Sequence, residues 1–404
     1  MLKKNHIAVV IGSVIVVGLV GWWVYSYVKL GGDINPLSTS TNTEILAGQQ
    51  DQGSTPQQPE RYELETVAEG LVVPWSIVFP NSDRWFIAER DGAIRVVLEG
   101  KLQVQPLKKF AQVSSKAEEG LMGMVLDPNY SDNKLLYVCL AYLADDGNMY
   151  DKVVRLMDAG SELTEEITVI DKIPAARFHA GCELGFGPDG KLYISTGDAT
   201  DGTIAQDQNS LGGKFLRINA DGSIPSDNPF SGSVIYSLGH RNPQGFDWHP
   251  ETNRLYATEH GPSGFDGPLG GDEINFIEAG HNYGWPDVSH KQTGSGFDSP
   301  LVVYTPAVAP ASAVFYTGEQ FPSWQGSFFF ATLKGEAVYR LRFDSDEPRT
   351  VVEQEKLTLP SVGRIREITQ GLDGSLYITT SNRDGRGSER TGDDKVYRLV
   401  PTQN

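Results

Sequence analysis

A short hydrophobic pattern recurs along most of the chain. Each copy has an apolar run, a turn rich in Pro, Asp, Asn or Gly, and a second apolar run, which is typical of a β-hairpin. The copies begin at Trp75, Leu121, Cys182, Pro243, Ser312 and Ile365. Apolar residues at helical spacing are rare in the same region, so little helix is expected.

The hairpins predict an all-β fold, a six-bladed β-propeller over residues 62–401. Their turns follow one another at intervals of about 50 to 70 residues, which is enough for four antiparallel strands in each blade. A β-sandwich with coincidental turns is the competing interpretation, and six similar copies weaken it.

The first sixty residues lack the hairpin repeat and begin with a long apolar run. Lys3 and Lys4 precede an uncharged run over residues 7–28, close to the roughly 20 residues that cross a bilayer as a helix. We expect a single-pass transmembrane helix in the cell membrane, with residues 1–6 in the cytoplasm because lysines favour that side. Residues 29–61 would be a flexible linker to an extracytoplasmic propeller. A cleaved signal peptide, and hence secretion, is the alternative.

Charge and cysteine content narrow the choice of partners. The formal net charge is −18, which repels phosphate backbones and makes nucleic acid an unexpected partner. The two cysteines, Cys139 and Cys182, form no CxxC or zinc pattern. One disulfide and two buried free thiols both remain open.

Hairpin geometry predicts where a site would lie. The start of the first strand and the end of the second strand share one edge, so the residues that flank the hairpins gather on one face. These flanking residues include Glu118, His179, Asp198, Arg241, His260, Lys334, Arg364 and Arg366. Arginines suit carboxylates, so the set predicts a cationic pocket for a polyanionic ligand, with a histidine–carboxylate pair inside it.

At these residues the chain resembles a known family. The motifs EGLMG, FHAG, GPDGKLY, STGD, AQDQNSLGGKFLRI, GHRNPQG, EHGP, GGDEIN, GHNYGWP, LKG and VGRIRE follow in this order. Together they resemble the soluble glucose/aldose sugar dehydrogenases that depend on pyrroloquinoline quinone (PQQ), the glucose/sorbosone dehydrogenase-like propellers, from about Leu71 to Leu399. The resemblance implies that PQQ and Ca²⁺ are cofactors and that a small-molecule sugar is the substrate. It implies oxidation of aldoses at the anomeric carbon to lactones, with an external electron acceptor.

The resemblance also implies roles for individual residues. It gives catalytic roles to His179 as the base, Asp198 as its partner, Gln206 near the sugar and Arg241 over the reactive carbonyl of the cofactor. It gives cofactor contacts to Glu118, Arg241, Asn242, Lys334, Arg364 and Arg366. It gives calcium contacts to the carbonyls of Gly261 and Pro262, and a second, structural calcium to Glu273 and Tyr283.

The chain departs from the family pattern beside the base. The usual sequence is closer to H-x-G-G-R, whereas Cys182 and Glu183 follow Gly181 here. A Glu183 that faced the pocket would raise the pKa of His179 or alter sugar preference, and one that faced outward would be a surface residue.

Two other function classes remain open. One is a calcium-dependent propeller lactonase or other hydrolase, and the other is a non-catalytic extracellular binding propeller. The Arg- and Lys-rich pocket favours the dehydrogenase.

Overall fold

The computed structural model describes residues 60–402 of the chain. In this range the strands form six antiparallel sheets that contact one another in a closed ring, so the predicted six-bladed β-propeller is confirmed. The first strands are β1 (Tyr62–Ala68), β2 (Pro74–Asn81), β3 (Arg84–Glu89), β4 (Ala93–Leu98), β5 (Lys101–Leu102), β6 (Lys108–Lys109), β7 (Leu121–Leu126), β8 (Leu135–Leu143), β9 (Met149–Asp158), β10 (Leu163–Pro174), β11 (Leu184–Phe186), β12 (Leu192–Thr196) and β13 (Lys214–Ile218). The others are β14 (Ile235–Leu238), β15 (Pro243–Trp248), β16 (Leu255–Glu259), β17 (Asp272–Ile277), β18 (Val302–Tyr304), β19 (Pro310–Phe315), β20 (Phe328–Thr332), β21 (Ala337–Phe343), β22 (Val351–Lys356), β23 (Ile365–Gln370), β24 (Leu376–Thr380) and β25 (Val396–Pro401). The short helical segments are α1 (Tyr130–Asn133) and two 3₁₀ turns, Gly202–Ala205 and Pro322–Trp324.

Both ends of the described chain build one blade. Blades 1 to 5 consist of β2–β6, β7–β10, β11–β14, β15–β18 and β19–β22, and blade 6 consists of β23–β25 with β1 as its outer strand. Leu64 of β1 lies opposite Leu399 of β25, so main-chain hydrogen bonds close the ring. Blade 1 differs from the expected four strands, because β5 pairs with only the end of β4 and the short β6 pairs with its start.

The six predicted hairpins are the innermost two strands of the six blades. Their turns show why the sequence pattern repeats. In the turn between β11 and β12, Gly190 has a φ of +71°, which a side chain would disfavour. The Asp189 carboxylate accepts a hydrogen bond from the Lys191 amide at 3.0 Å. Such turns bring the two apolar runs into register.

The hydrophobic core is divided among the interfaces between blades. Six buried clusters lie in the described structure, one between each pair of neighbouring blades. Middle strands such as β12 and β24 are buried at every position because a blade covers each face. The outer strand β22 instead alternates between exposed and half-buried residues. Apolar burial between blades therefore holds the propeller together.

A disulfide joins two of these blades. Cys139 on β8 is bonded to Cys182, which precedes β11, and their Cα atoms are 6.2 Å apart. The disulfide alternative is therefore the one that the structure has. The bond fixes the segment that leads from His179 into blade 3.

The predicted membrane segment is not part of this description. Residues 1–6, the anchor over 7–28 and the linker up to residue 59 lie outside the described residues. Within residues 60–402, no helix combines the length and the apolar character that a membrane span requires.

Candidate active site

A cavity of about 820 Å³ opens on the face where the inner hairpins begin and end. Its lining carries far more positive than negative charge, in contrast to the net charge of −18 of the whole chain. The basic lining residues are Arg90, Lys116, Arg241, Lys334, Arg364, Arg366 and Arg386, and the carboxylates are Glu118, Asp272 and Asp384. The volume suits a small-molecule site, and the charge suits an anionic ligand.

His179 lies at the wall of this cavity, between a carboxylate and a guanidinium. Its Nδ1 lies 2.6 Å from Oδ1 of Asp198, and its Nε2 lies 2.8 Å from Nη2 of Arg241. A guanidinium has donors and no acceptor, so Nε2 must be the unprotonated nitrogen. Nδ1 therefore carries the proton and donates a hydrogen bond to Asp198. This is the tautomer that a general base requires.

Several groups fix the two partners of this pair. Oδ1 of Asp198 accepts the Thr200 amide at 2.8 Å and Oδ2 accepts the Trp285 indole N–H at 2.8 Å. The backbone N–H of His179 donates to Glu118 at 2.9 Å. His179 adopts a left-handed φ of +55°, an unfavourable conformation that tertiary contacts must maintain.

Arg241 is buried and oriented by its own contacts. Its Nε donates to Asp266 at 2.7 Å and its Nη1 donates to the His260 carbonyl at 3.1 Å. Its guanidinium lies 5.5 Å from the centre of the Trp285 ring. The side chain thus presents Nη2 to the cavity beside the lone pair of His179.

The other basic residues differ in how far they are already paired. Arg364 donates to Asp384 at 2.7 Å, and Arg366 donates to Gln244 at 2.8 Å. Burial lowers the pKa of Arg366 to about 10, so it stays charged at neutral pH. Arg90 and Lys334 line the cavity, and neither side chain has a hydrogen-bond partner among residues 60–402. These two cations are available to a ligand.

The predicted calcium segment also borders the cavity. The Gly261 amide donates to Asp272 at 2.9 Å, while the Pro262 carbonyl accepts the Gly270 amide at 3.2 Å. A Cβ at position 261 would lie 2.4 Å from the Gly271 carbonyl oxygen, so glycine is required there. Within the described chain, the Gly261 carbonyl accepts no hydrogen bond. It is therefore free to bind a hard cation.

A second, small cavity lies beside the first. It is lined by Glu259, Glu273 and Tyr283. Glu273 of β17 is paired directly opposite Glu259 of β16. Burial raises the pKa of Glu273 to about 8, and the charge of Glu259 adds to this effect. The Tyr283 hydroxyl donates to the Phe276 carbonyl at 2.6 Å. Adjacent carboxylates of this kind fit a calcium ion.

Comparisons with known proteins identify the family of this chain. The model of the Glucose / Sorbosone dehydrogenase family matches residues 71–389. The chain belongs to this family. It is 32% identical to aldose sugar dehydrogenase YliI of Escherichia coli over 81% of this chain and 92% of the relative. It is 25% identical to quinoprotein glucose dehydrogenase B of Acinetobacter calcoaceticus over 84% of this chain and 89% of the relative.

A solved structure extends the similarity to three dimensions. The PQQ-bound form of aldose sugar dehydrogenase from Streptomyces coelicolor is 32% identical, covers 85% of this chain and 99% of its own, and superposes with a TM-score of 0.74. The resemblance to the glucose/sorbosone dehydrogenase propellers is therefore confirmed.

Two of the residues predicted by family resemblance lie behind the cavity instead of lining it. The Gln206 amide nitrogen donates to Asn282 at 3.1 Å and to the Trp285 carbonyl at 2.7 Å. Asn242 accepts the Gly181 amide at 3.0 Å. Both support the loops that carry His179 and Trp285. Their predicted contacts with sugar and cofactor stay predictions.

The sequence reasoning missed some site residues of this family member. Arg90 directly follows β3, the second strand of the first hairpin, so the rule that located Lys334 would also have found it. Phe265 stacks on His179 with ring centres 5.9 Å apart, and Asp266 holds Arg241. These two lie in an irregular loop between Ser263 and Gly271, where no periodic signal exists.

Glu183 faces neither the His179 cavity nor the outer surface. It does not line the cavity of His179, and it is partly buried. Its side chain lines the central channel of the propeller, on which the innermost strands converge. A direct effect of Glu183 on the His179 pocket is therefore not supported.

Proposed function

We propose that this member of the glucose/sorbosone dehydrogenase family oxidises aldose sugars at the anomeric carbon to lactones, with PQQ and calcium as cofactors. The observation that carries the proposal is the position of His179, whose Nδ1 lies against Asp198 and whose Nε2 faces Arg241, at the wall of a cavity rich in Arg and Lys. The names of the Escherichia coli and Streptomyces coelicolor proteins support the substrate class and the cofactor.

The basic residues fit a polyanionic cofactor. Lys334, Arg364 and Arg366 would bind the PQQ carboxylates, and Arg90, whose side chain has no hydrogen-bond partner among residues 60–402, adds a fourth cation. The Gly261 and Pro262 segment would hold the catalytic calcium, and the Glu259–Glu273 pair fits a structural one. When bound, PQQ supplies a two-electron acceptor and calcium supplies Lewis-acid polarisation of it.

The chain's own residues would perform the proton transfer. The anomeric hydroxyl of the sugar would give its proton to Nε2 of His179, and the hydride lost from the anomeric carbon would require the two-electron acceptor that bound PQQ would supply. Asp198 stabilises the imidazolium that results. Arg241 must release Nε2 to admit the substrate, and its guanidinium then stabilises negative charge that develops in the cavity. Phe265 covers one face of the imidazole ring.

We place the propeller outside the cytoplasm, anchored in the membrane by residues 7–28, with electrons leaving to an external acceptor. The Cys139–Cys182 disulfide supports this location because disulfides form and persist in oxidising compartments and are rare in the cytosol. A secreted form after signal cleavage is the alternative, and both forms expose the cavity to the same compartment.

Arg90 provides a test of the cofactor proposal. Arg90→Ala is expected to weaken PQQ binding by about 10- to 100-fold, since a hydrogen bond to a charged group contributes about 1.5 to 3 kcal/mol. Isothermal titration of PQQ into the calcium-loaded apoprotein measures the effect. Arg61→Ala, at an exposed site before β1, is the matched control. Undetectable PQQ binding by the unsubstituted protein would contradict the proposed function. Equal PQQ affinities of Arg90→Ala and Arg61→Ala would show that Arg90 does not bind PQQ.

A further inference from the structure

A third cavity, of about 260 Å³, lies along the axis of the propeller. Residues from the innermost strand region of every blade line it. Its charged residues are Glu183, Asp247 and Glu367, and no Lys, Arg or His is among its described lining. Three carboxylates from three blades thus converge on one channel whose described lining has no basic residue.

The carboxylate oxygens of these three residues differ in their hydrogen-bond partners. Asp247 accepts the Trp248 amide at 2.8 Å and the Phe315 amide at 2.7 Å, so both of its oxygens are bonded. Glu183 uses Oε1 to accept the Leu184 amide at 3.1 Å, and its Oε2 is buried without a partner. Glu367 is 6% exposed, and its Oε2 also lacks a partner. A buried polar atom without a partner is strongly disfavoured.

The positive charge of Arg366 does not supply the missing partners of these two oxygens. Arg366 attracts both glutamates, yet its guanidinium packs 3.8 Å from the centre of the Trp75 ring and donates to Gln244. Burial raises the pKa of Glu183 in spite of Arg366. Burial and the charge of Glu183 together raise the pKa of Glu367. The channel therefore disfavours two bare carboxylates, and a bound cation would relieve this.

We propose that Glu183 and Glu367 bind one divalent cation of the calcium type in the central channel. Their free Oε2 atoms provide the hard oxygen ligands that such ions prefer. Each innermost strand is the edge of its sheet, so backbone carbonyls and water can complete the shell of six to eight oxygens. This site is separate from the His179 cavity and does not depend on sugar oxidation. Its role is to join blade 3 to blade 6 across the axis.

The test compares calcium content and thermal stability. The full-length protein is stripped with a chelator, dialysed against Ca²⁺ and analysed for bound metal per chain. Glu183→Gln/Glu367→Gln is expected to bind one equivalent fewer than the unsubstituted protein and to show a smaller rise in Tm when Ca²⁺ is added. Glu63→Gln/Glu162→Gln changes two exposed carboxylates and is expected to match the unsubstituted protein.

The outcomes separate a cation from a shared proton. If Glu183→Gln/Glu367→Gln binds as much metal as the unsubstituted protein, the proposal is overturned. If this variant has a higher Tm than the unsubstituted protein both with and without Ca²⁺, the two glutamates share a proton instead of a cation. If the double variant does not fold, the single variant Glu183→Gln takes its place. It is then expected to weaken one class of Ca²⁺ site at least tenfold, and unchanged affinities would overturn the proposal. PQQ affinity, measured in parallel, shows whether the cofactor site is intact.

Discussion

Replacement of His179 by alanine is expected to lower kcat for aldose oxidation by about 10²- to 10⁴-fold, the usual contribution of a general base. The reason is that Nε2 of His179 is the basic atom that Asp198 and Arg241 hold toward the cavity. PQQ affinity is expected to stay within a few-fold, because the cationic residues remain. The measurement is dye reduction by the reconstituted enzyme at saturating sugar.

Two further variants separate a base from a structural histidine. Asp198→Asn keeps a similar shape but removes the charge that stabilises the imidazolium, so kcat is expected to fall strongly while the fold is retained. His281→Ala, at a half-exposed side chain outside the cavity, is the control and is expected to behave like the unsubstituted enzyme. Turnover of His179→Ala close to that of this control would exclude His179 as the base.

Removal of the disulfide is expected to have the largest effect on stability. Cys139→Ala/Cys182→Ala should lower the free energy of unfolding by about 2 to 4 kcal/mol, since the bond closes a loop across a separation of 43 residues. Both cysteines are buried in the cluster between blades 2 and 3, so lost packing adds to the effect. Urea unfolding at equilibrium measures it.

The reduced form of the unsubstituted protein is the matched comparison for this variant. It lacks the cross-link but keeps both sulfur atoms, so its stability should lie between those of the oxidised protein and the variant. Cys182 is three residues from His179, and kcat is therefore expected to fall in the variant as the segment loosens. Equal stability of the oxidised and reduced proteins would contradict a structural role for the disulfide.

The positions of many site residues followed from hairpin geometry. The starts and ends of antiparallel inner strands must share an edge, so His179, Arg241 and Lys334 could be assigned to one face from their positions beside the apolar runs. The number of blades followed from the same repeat. Side-chain periodicity and turn residues were sufficient to predict the face of the site and the number of blades.

Other features depend on contacts that a local pattern does not contain. The pairing of β1 with β25 joins the two ends of the described chain, and no turn motif in the sequence connects these two strands. The orientation of Glu183 depends on a single residue of register, since neighbouring side chains of a strand point to opposite faces. The loop that carries Phe265 and Asp266 is irregular, so its contacts with His179 and Arg241 could not be foreseen.

Reconstitution tests the central proposal most directly. The purified protein is stripped of metal and supplied with PQQ alone, Ca²⁺ alone, both or neither, and aldose-dependent dye reduction is measured in each case. The account predicts turnover only when both are present, and near-background turnover for His179→Ala under the same conditions. Aldose oxidation without PQQ, or no turnover with a panel of aldoses when folded protein has bound both cofactors, would contradict it.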